Sequence, residues 1–296
     1  MPSVVSHATA PDGLDLLVRH WPVADGGDAW ASLLLIHGLG EHSGRYEHVG
    51  DQMAAAGIET WAYDHRGNGA SGGRRGHVDR WSEYHDDVAS RLGAVRTSAE
   101  GRPVVLYGHS MGGLIVAGYL LGDDLPPDRP MPDLVVLSSP GLDSTLARWK
   151  VALAPVIGRM LPTLSVPNGI DPATLSRDPS VGEIAGRDPL NGSASTAGFA
   201  AEAVKEQARV RRLATRGFGR PTLVLHGLDD GLVPSTASEV FAQAPDTERR
   251  TYPGLRHELH NEPEGPAIEA EVIAWLRERA TLPPHPNTAS GERLER

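Results

Sequence analysis

Short apolar runs recur at wide spacing along this chain, and longer stretches with helical periodicity separate them. Several runs, such as SLLLIHG (32–38) and PVVLYGHS (103–110), are apolar at nearly every position. Parallel strands that are buried on both faces show this pattern. Strand-like runs lie at 14–21, 32–38, 58–65, 103–110, 132–140, 221–227 and 248–254, and helical stretches at 81–96, 111–121, 236–244 and 264–280. The alternation predicts an α/β fold with a mostly parallel, doubly wound sheet.

One long interval interrupts this rhythm. No strand is predicted between residues 141 and 220, and the interval is too long for a simple crossover. It predicts an inserted helical cap at 141–205, with a core formed by 1–140 and 206–280. The polar, proline-containing segment 281–296 is predicted to be disordered.

An apolar stripe marks the first part of the insertion. Its members, spaced as on one face of a helix, are Leu146, Trp149, Leu153, Ile157 and Met160. Pro155 is expected to kink this helix. The stripe either packs on the core or lines a substrate channel, and the second interpretation makes Trp149, Leu153 and Ile157 candidate substrate contacts.

Composition excludes several classes of protein. The net charge of −10 argues against a nucleic-acid partner, because phosphate binding depends on Lys and Arg. With no cysteine in 296 residues, disulfides, thiolate metal sites and a cysteine nucleophile are excluded. The first 13 residues lack the pattern of a signal peptide, and no apolar run reaches the length of a membrane span. We therefore expect a cytoplasmic protein.

The stretch GNGASG (67–72) has the G-x-G-x-x-G spacing of a dinucleotide-binding loop. In such a loop a helix begins at the third glycine and binds the pyrophosphate. Here the following residues, GRRGHVDRW, have no helical apolar period. The stretch is therefore interpreted as a glycine-rich turn after a buried strand.

A second glycine-rich motif carries the chemistry. Residues 108–112, GHSMG, have the G-x-S-x-G spacing and lie between a buried strand and a helical stretch. This context is typical of a nucleophile elbow, in which Ser110 occupies a strained turn and the flanking glycines leave room for the backbone. Ser110 is the candidate nucleophile.

A serine nucleophile needs a base and a carboxylate that orients the base. In folds with a nucleophile elbow, the order along the chain is serine, then the acid, then histidine. LVLHGLDDGLVP offers Asp229 and Asp230, of which we prefer Asp230; YPGLRHELHNEPE offers His257 and His260, of which we prefer His257 because it lies nearer the strand end. The HELH segment lacks the spacing of a zinc motif and has no third ligand, so no metal site is predicted.

The oxyanion of an acyl-transfer intermediate requires two N–H donors. Met111 follows the nucleophile directly and is one candidate. The loop LLLIHGLGEHSGRY supplies the other, for which we expect the Leu39 amide. His37 in this loop is interpreted as a structural residue.

Six motifs in this order, HGLGEHSGRY, DHRGNGASGG, GHSMGG, SRDP, HGLDDGLVP and YPGLRHELHNEPE, resemble the monoacylglycerol lipase family of α/β-hydrolases, particularly its bacterial members. The resemblance implies an α/β-hydrolase fold whose insertion caps an acyl-binding channel. It implies Ser110, Asp230 and His257 as the triad, and Leu39 and Met111 as oxyanion donors. It also implies that Asp64 and Arg66 brace the turn that contains GNGASG.

The implied reaction is cleavage of a monoacylglycerol, or a similar lipid ester, to glycerol and fatty acid through an acyl-enzyme, without cofactor or metal. The apolar face of the cap adds an expectation of peripheral membrane contact, and the oligomeric state stays open. Alternatives with the same triad are a lysophospholipase, a general carboxylesterase and a serine aminopeptidase. The aminopeptidase would hold a substrate ammonium through carboxylates of the long interval 141–220: Glu183, Asp188, Glu202 and Glu206. A non-catalytic ligand-binding module is a fourth alternative.

Overall fold

A mostly parallel sheet of eight strands forms the centre of the protein. The computed structural model describes residues 3–23, 27–122 and 125–280. The strands of this sheet are β1 (Val4–Thr9), β2 (Asp15–Trp21), β3 (Ala31–Ile36), β4 (Ile58–Tyr63), β5 (Val104–His109), β6 (Leu134–Ser138), β9 (Thr222–Gly227) and β10 (Thr247–Tyr252). Their order across the sheet is β1-β2-β4-β3-β5-β6-β9-β10.

The parallel strands at the centre of the sheet are its fully buried strands. The strands from β4 to β10 in this order run parallel, and their four central members, β3, β5, β6 and β9, are buried at every position. β1 and β2 extend the sheet on the β4 side as antiparallel strands. β1 was not predicted, because most of its residues are exposed and give no buried apolar run. The predicted α/β sheet is confirmed, and the carboxyl ends of its parallel strands meet at one edge.

Helices cover both faces of the sheet. One face packs against α2 (Ser82–Ser98) and α3 (Met111–Leu121), and the other against α1 (Glu47–Ala55) and α7 (Gly265–Ala280). Three of these four helices match predicted stretches. α1 was not predicted, and the helix predicted at 236–244 is a 3₁₀ helix, Ser235–Phe241. Among the described residues, no helix is both long enough and apolar enough to cross a bilayer.

The interval between β6 and β9 contains α4 (Arg148–Met160), β7 (Ser165–Pro167), α5 (Pro179–Arg187), β8 (Ala194–Thr196) and α6 (Ala197–Leu213). The prediction that no strand occurs here is wrong, because β7 and β8 form a small antiparallel pair. Each has only three residues, too few to produce an apolar pattern. α6 continues across the predicted domain boundary at 205, and the predicted disordered tail, 281–296, lies outside the described residues.

Candidate active site

Ser110 occupies the sharp turn between β5 and α3. Its φ of 52° and ψ of −118° are a strained combination for a residue with a Cβ. The flanking glycines explain how the turn fits. A Cβ at Gly112 would lie 2.0 Å from the carbonyl oxygen of Ile36, and one at Gly108 would lie 2.6 Å from that of Gly112. The G-x-S-x-G spacing is thus a steric requirement for packing α3 against the ends of β3 and β5.

Three side chains from three strand ends form a continuous chain of hydrogen bonds. Ser110 follows β5, Asp230 follows β9 and His257 follows β10. The Nε2 atom of His257 lies 2.8 Å from the Oγ atom of Ser110, and its Nδ1 atom lies 2.7 Å from the Oδ2 atom of Asp230. The structure therefore brings together the residues that the sequence analysis preferred, while Asp229 is exposed to solvent.

Asp230 is held as a buried carboxylate. Its Oδ1 atom accepts hydrogen bonds from the backbone N–H groups of Leu232 and Val233, both at 2.9 Å. Burial alone would raise the pKa of Asp230, but His257, the hydrogen bond to His226 and the backbone donors lower it well below its usual range. The ionised form is therefore the stable one at neutral pH.

His257 is matched to this carboxylate. Burial would lower the pKa of the imidazole, but the charge of Asp230 and the hydrogen bond to it outweigh burial, so the pKa lies above its ordinary 6.5. A base whose pKa lies near working pH can both accept and return a proton.

The loop after β3 lies against Ser110. A Cβ at Gly38 would be 3.2 Å from the Cβ of Ser110 and 2.7 Å from the Oε1 atom of Glu41. The Gly38 N–H donates to that oxygen at 2.5 Å. Within the described part of the chain, the amides of Leu39 and Met111 have no hydrogen-bond acceptor. Both predicted oxyanion donors are thus free to bind another group.

His37 and the turn after β4 brace this loop from behind. The buried His37 ring accepts the His65 N–H at 2.9 Å, which agrees with its structural interpretation. Asp64 accepts hydrogen bonds from the N–H groups of Ser43 and Ala70, each at 2.8 Å. The GNGASG stretch is therefore a turn held by Asp64, and no helix follows it directly.

A buried ion network near the triad was not predicted. Arg45 donates to Glu41 at 2.7 Å and binds both oxygens of Glu258, each at 2.7 Å. Burial alone would raise the pKa of Glu41, but Arg45 and nearby histidines lower it to about 2. The charged residues in HGLGEHSGRY and RHEL are a signal in the sequence for ion pairs of this kind. Because Arg45 and Glu258 are 213 positions apart, however, sequence alone could not pair them.

The apolar stripe of the insertion does not pack into the core. On α4, Trp149 is 63% exposed, Leu153 43% and Ile157 36%. The buried residue of α4 is Gly158, where a Cβ would lie 2.5 Å from the Cβ of Ala201 on α6. α4 thus packs against α6 at Gly158, while Trp149, Leu153 and Ile157 stay partly exposed. The helix continues through Pro155.

Known proteins share both the sequence pattern and the fold. The profile of a family described as "Serine aminopeptidase, S33" matches residues 27–264. A monoacylglycerol lipase from Mycolicibacterium smegmatis is 34% identical over 82% of this chain and 87% of that protein. A human monoglyceride lipase is 32% identical over 92% and 90% of the two chains. The crystal structure of a monoacylglycerol lipase from Paleococcus ferrophilus superposes with a TM-score of 0.78 at 31% identity, over 89% of this chain and 99% of that one.

The family match covers the strands from β3 to β10, the insertion and the loops that contain the three hydrogen-bonded side chains. These matches agree with the resemblance drawn from the six sequence motifs. The chain therefore belongs to the monoacylglycerol lipase family of the α/β-hydrolases, a family of serine hydrolases.

Proposed function

We propose that this enzyme, a carboxylic ester hydrolase by family, cleaves monoacylglycerol to glycerol and a free fatty acid through an acyl-enzyme on Ser110. The observation that carries the proposal is the hydrogen-bonded chain from Ser110 through His257 to Asp230, with distances of 2.8 and 2.7 Å. It lies at the carboxyl edge of the sheet and starts from a strained turn. The names of the relatives supply the substrate class.

In the proposed mechanism, His257 takes the proton of Ser110 as its Oγ atom attacks the ester carbonyl. The free amides of Leu39 and Met111 stabilise the oxyanion, and Asp230 holds the Nδ1–H tautomer of the imidazole. Protonated His257 then gives its proton to the departing glycerol oxygen. Water, activated by the same imidazole, releases the fatty acid and restores Ser110.

We assign residues 141–205 to a cap that borders the acyl group. This assignment is supported by the position of the insertion after β6, next to the strand that carries Ser110. The apolar residues Trp149, Leu153 and Ile157 on α4 are its candidate substrate contacts. Their exposure would be unfavourable without an apolar partner.

The test is glycerol release from 1-monoacylglycerols of increasing acyl length, measured for wild-type protein and for Ser110→Ala. Strong release by wild type and none by a folded Ser110→Ala variant is the expected result. Turnover of glycerides at the wild-type rate by Ser110→Ala would overturn the assignment. Lysophosphatidylcholine, a small activated ester and an N-terminally free peptide serve as competing substrates in the same assay.

The aminopeptidase alternative finds less support in the described contacts. Of the four candidate carboxylates, Glu206 is buried and binds Arg209, and Asp188 binds His42 at 2.9 Å. Glu202 binds Lys205 and the Trp81 amide. Glu183 pairs with Arg187 at 3.8 Å. All four therefore already have partners, which leaves little charge for a substrate ammonium.

We also propose that the cap contacts membranes peripherally. Exposed apolar side chains on α4 stand beside Arg148, Lys150 and Arg159, a combination that favours anionic lipid surfaces. Co-sedimentation with vesicles that contain phosphatidylglycerol should be lost when Trp149 and Leu153 are both changed to Ser. Equal sedimentation of wild type and this variant would contradict the proposal.

A further inference from the structure

The insertion makes direct contact with the loop that carries His257. Its segment 173–177, which includes the first residues of the SRDP motif, lies along residues 256–264. Arg256 and Glu258, the two neighbours of His257, both bind this segment. The Glu258 N–H donates to the Leu175 carbonyl at 2.8 Å, and the Arg256 guanidinium donates to the Ala173 and Ser176 carbonyls at 2.7 and 2.8 Å.

Glu262 joins the two segments. Its side chain is fully buried and its carboxylate accepts hydrogen bonds from both sides. The Oε1 atom accepts the Arg256 N–H at 2.6 Å. The Oε2 atom accepts the backbone N–H of Arg177 at 3.1 Å and its Nε–H at 3.0 Å, and the Ser176 hydroxyl lies 3.4 Å away.

These bonds fix the backbone on both sides of the base. The Arg256 N–H is held by Glu262, the Glu258 N–H by the Leu175 carbonyl, and the His257 carbonyl by the Ser139 hydroxyl at 2.8 Å. A loop after a strand has no ladder of its own to fix it. The 2.8 Å contact between His257 and Ser110 therefore depends on partners outside the loop.

We infer that Glu262 is a positioning residue for His257, and that it acts by binding Arg256 to the Ser176–Arg177 segment of the insertion. This inference rests on the proposed function, since it concerns the same base. It assigns the insertion a second role beside covering the substrate: one of its segments holds the catalytic histidine in reach of Ser110.

The chemistry explains why a carboxylate is needed at this position. Two oxygens accept three N–H groups, one of which belongs to a charged guanidinium, and charge-assisted bonds of this kind are the stronger ones. A glutamine at 262 would turn its NH₂ group toward either Arg256 or Arg177, so one donor would face another. The side chain would keep its shape, but it would no longer join Arg256 to Arg177.

The first test is Glu262→Gln, assayed with a short soluble ester and normalised by active-site titration with a fluorophosphonate. A displaced base predicts a fall in kcat of about tenfold to a hundredfold, with KM within about twofold of wild type. Glu264→Gln is the matched control. Glu264 also binds Arg177 but is exposed and has no bond to Arg256, so its kcat should match wild type.

A second variant covers the case in which Glu262→Gln does not fold. Arg177→Gln removes the partly exposed guanidinium and keeps the backbone donor, so a smaller fall in kcat, about threefold to tenfold, is expected at unchanged KM. Wild-type kcat in folded Glu262→Gln, or in Arg177→Gln if the first variant is unfolded, would overturn the inference. Turnover that persists in Ser110→Ala would instead overturn the proposed function.

Discussion

The carboxyl edge of the sheet and the outer face of α4 use apolar residues in opposite ways. At the sheet, apolar strands such as β5 are buried at every position and place Ser110 in a strained turn. On α4, Trp149 and Met160 are 63% and 74% exposed, and the helix packs through Gly158. Burial at the sheet stabilises the fold and holds Ser110 in its strained turn. The exposed apolar area on α4 does not stabilise the fold, and it supports the proposal that this face contacts an apolar ligand or surface.

The largest expected effect is a loss of kcat when Asp230, at the carboxyl edge of the sheet, is changed. Asp230→Asn should lower kcat by about 10⁴-fold, because an amide stabilises the wrong imidazole tautomer. Asp229→Asn, at the exposed neighbouring position, should leave kcat within about threefold of wild type. The measurement is ester turnover by both variants at pH 8. If Asp229→Asn alone disabled the enzyme, the acid would be misassigned.

A pair of truncations compares the two regions directly. Leu106 lies fully buried in β5, so Leu106→Ala should lower the free energy of unfolding by about 2–5 kcal/mol. Leu153→Ala on α4, where the side chain is 43% exposed, should lower it by less than about 1 kcal/mol. Urea denaturation monitored by circular dichroism measures both. Equal losses would show that α4 is as tightly packed as the sheet and would contradict the comparison.

The third effect concerns a buried carboxyl on the face of the sheet that packs against α1 and α7. Glu269 on α7 accepts one hydrogen bond, from the Tyr107 hydroxyl, and its Oε2 atom has no partner. Burial raises the pKa of Glu269 to about 7, against the smaller opposing effect of Tyr107. Between pH 4.5 and 7 the unfolded chain loses this proton while the folded chain keeps it. Glu269 therefore lowers stability as the pH rises through this window.

Glu269→Gln keeps a neutral side chain at every pH. It should raise the free energy of unfolding at pH 8 by up to about 3 kcal/mol relative to wild type, and the difference should vanish below pH 4.5. Glu271→Gln, on the same helix but half-exposed, should change stability by less than about 0.5 kcal/mol at either pH. A gain for Glu269→Gln that did not depend on pH would contradict the assigned ionisation.

The sequence predicted the parallel sheet because its central strands are continuously apolar. It missed β1, β7 and β8 because these strands are short or exposed, and their pairing depends on chain segments that no local pattern identifies. In α1, Val49 and Met53 are buried at helical spacing, but polar residues and Gly50 between them weaken the signal.

The residues of the candidate site also divide into those that a local sequence pattern identifies and those that it does not. The contact among Ser110, Asp230 and His257 could be predicted because each follows a recognisable strand, and parallel strands end at a common edge. The bridge from Glu262 to Arg177 could not be found this way. It joins residues 85 positions apart on two loops, and neither loop has a periodic pattern that would place one against the other.

Acylation of Ser110 is tested most directly by a rapid-quench peptide map of the enzyme mixed with a 1-monoacylglycerol. We expect a transient acyl group on the peptide that contains Ser110, formed together with the first equivalent of glycerol and absent in Ser110→Ala. Glycerol release with no acylated peptide, or with the acyl group on another residue, would contradict this expectation.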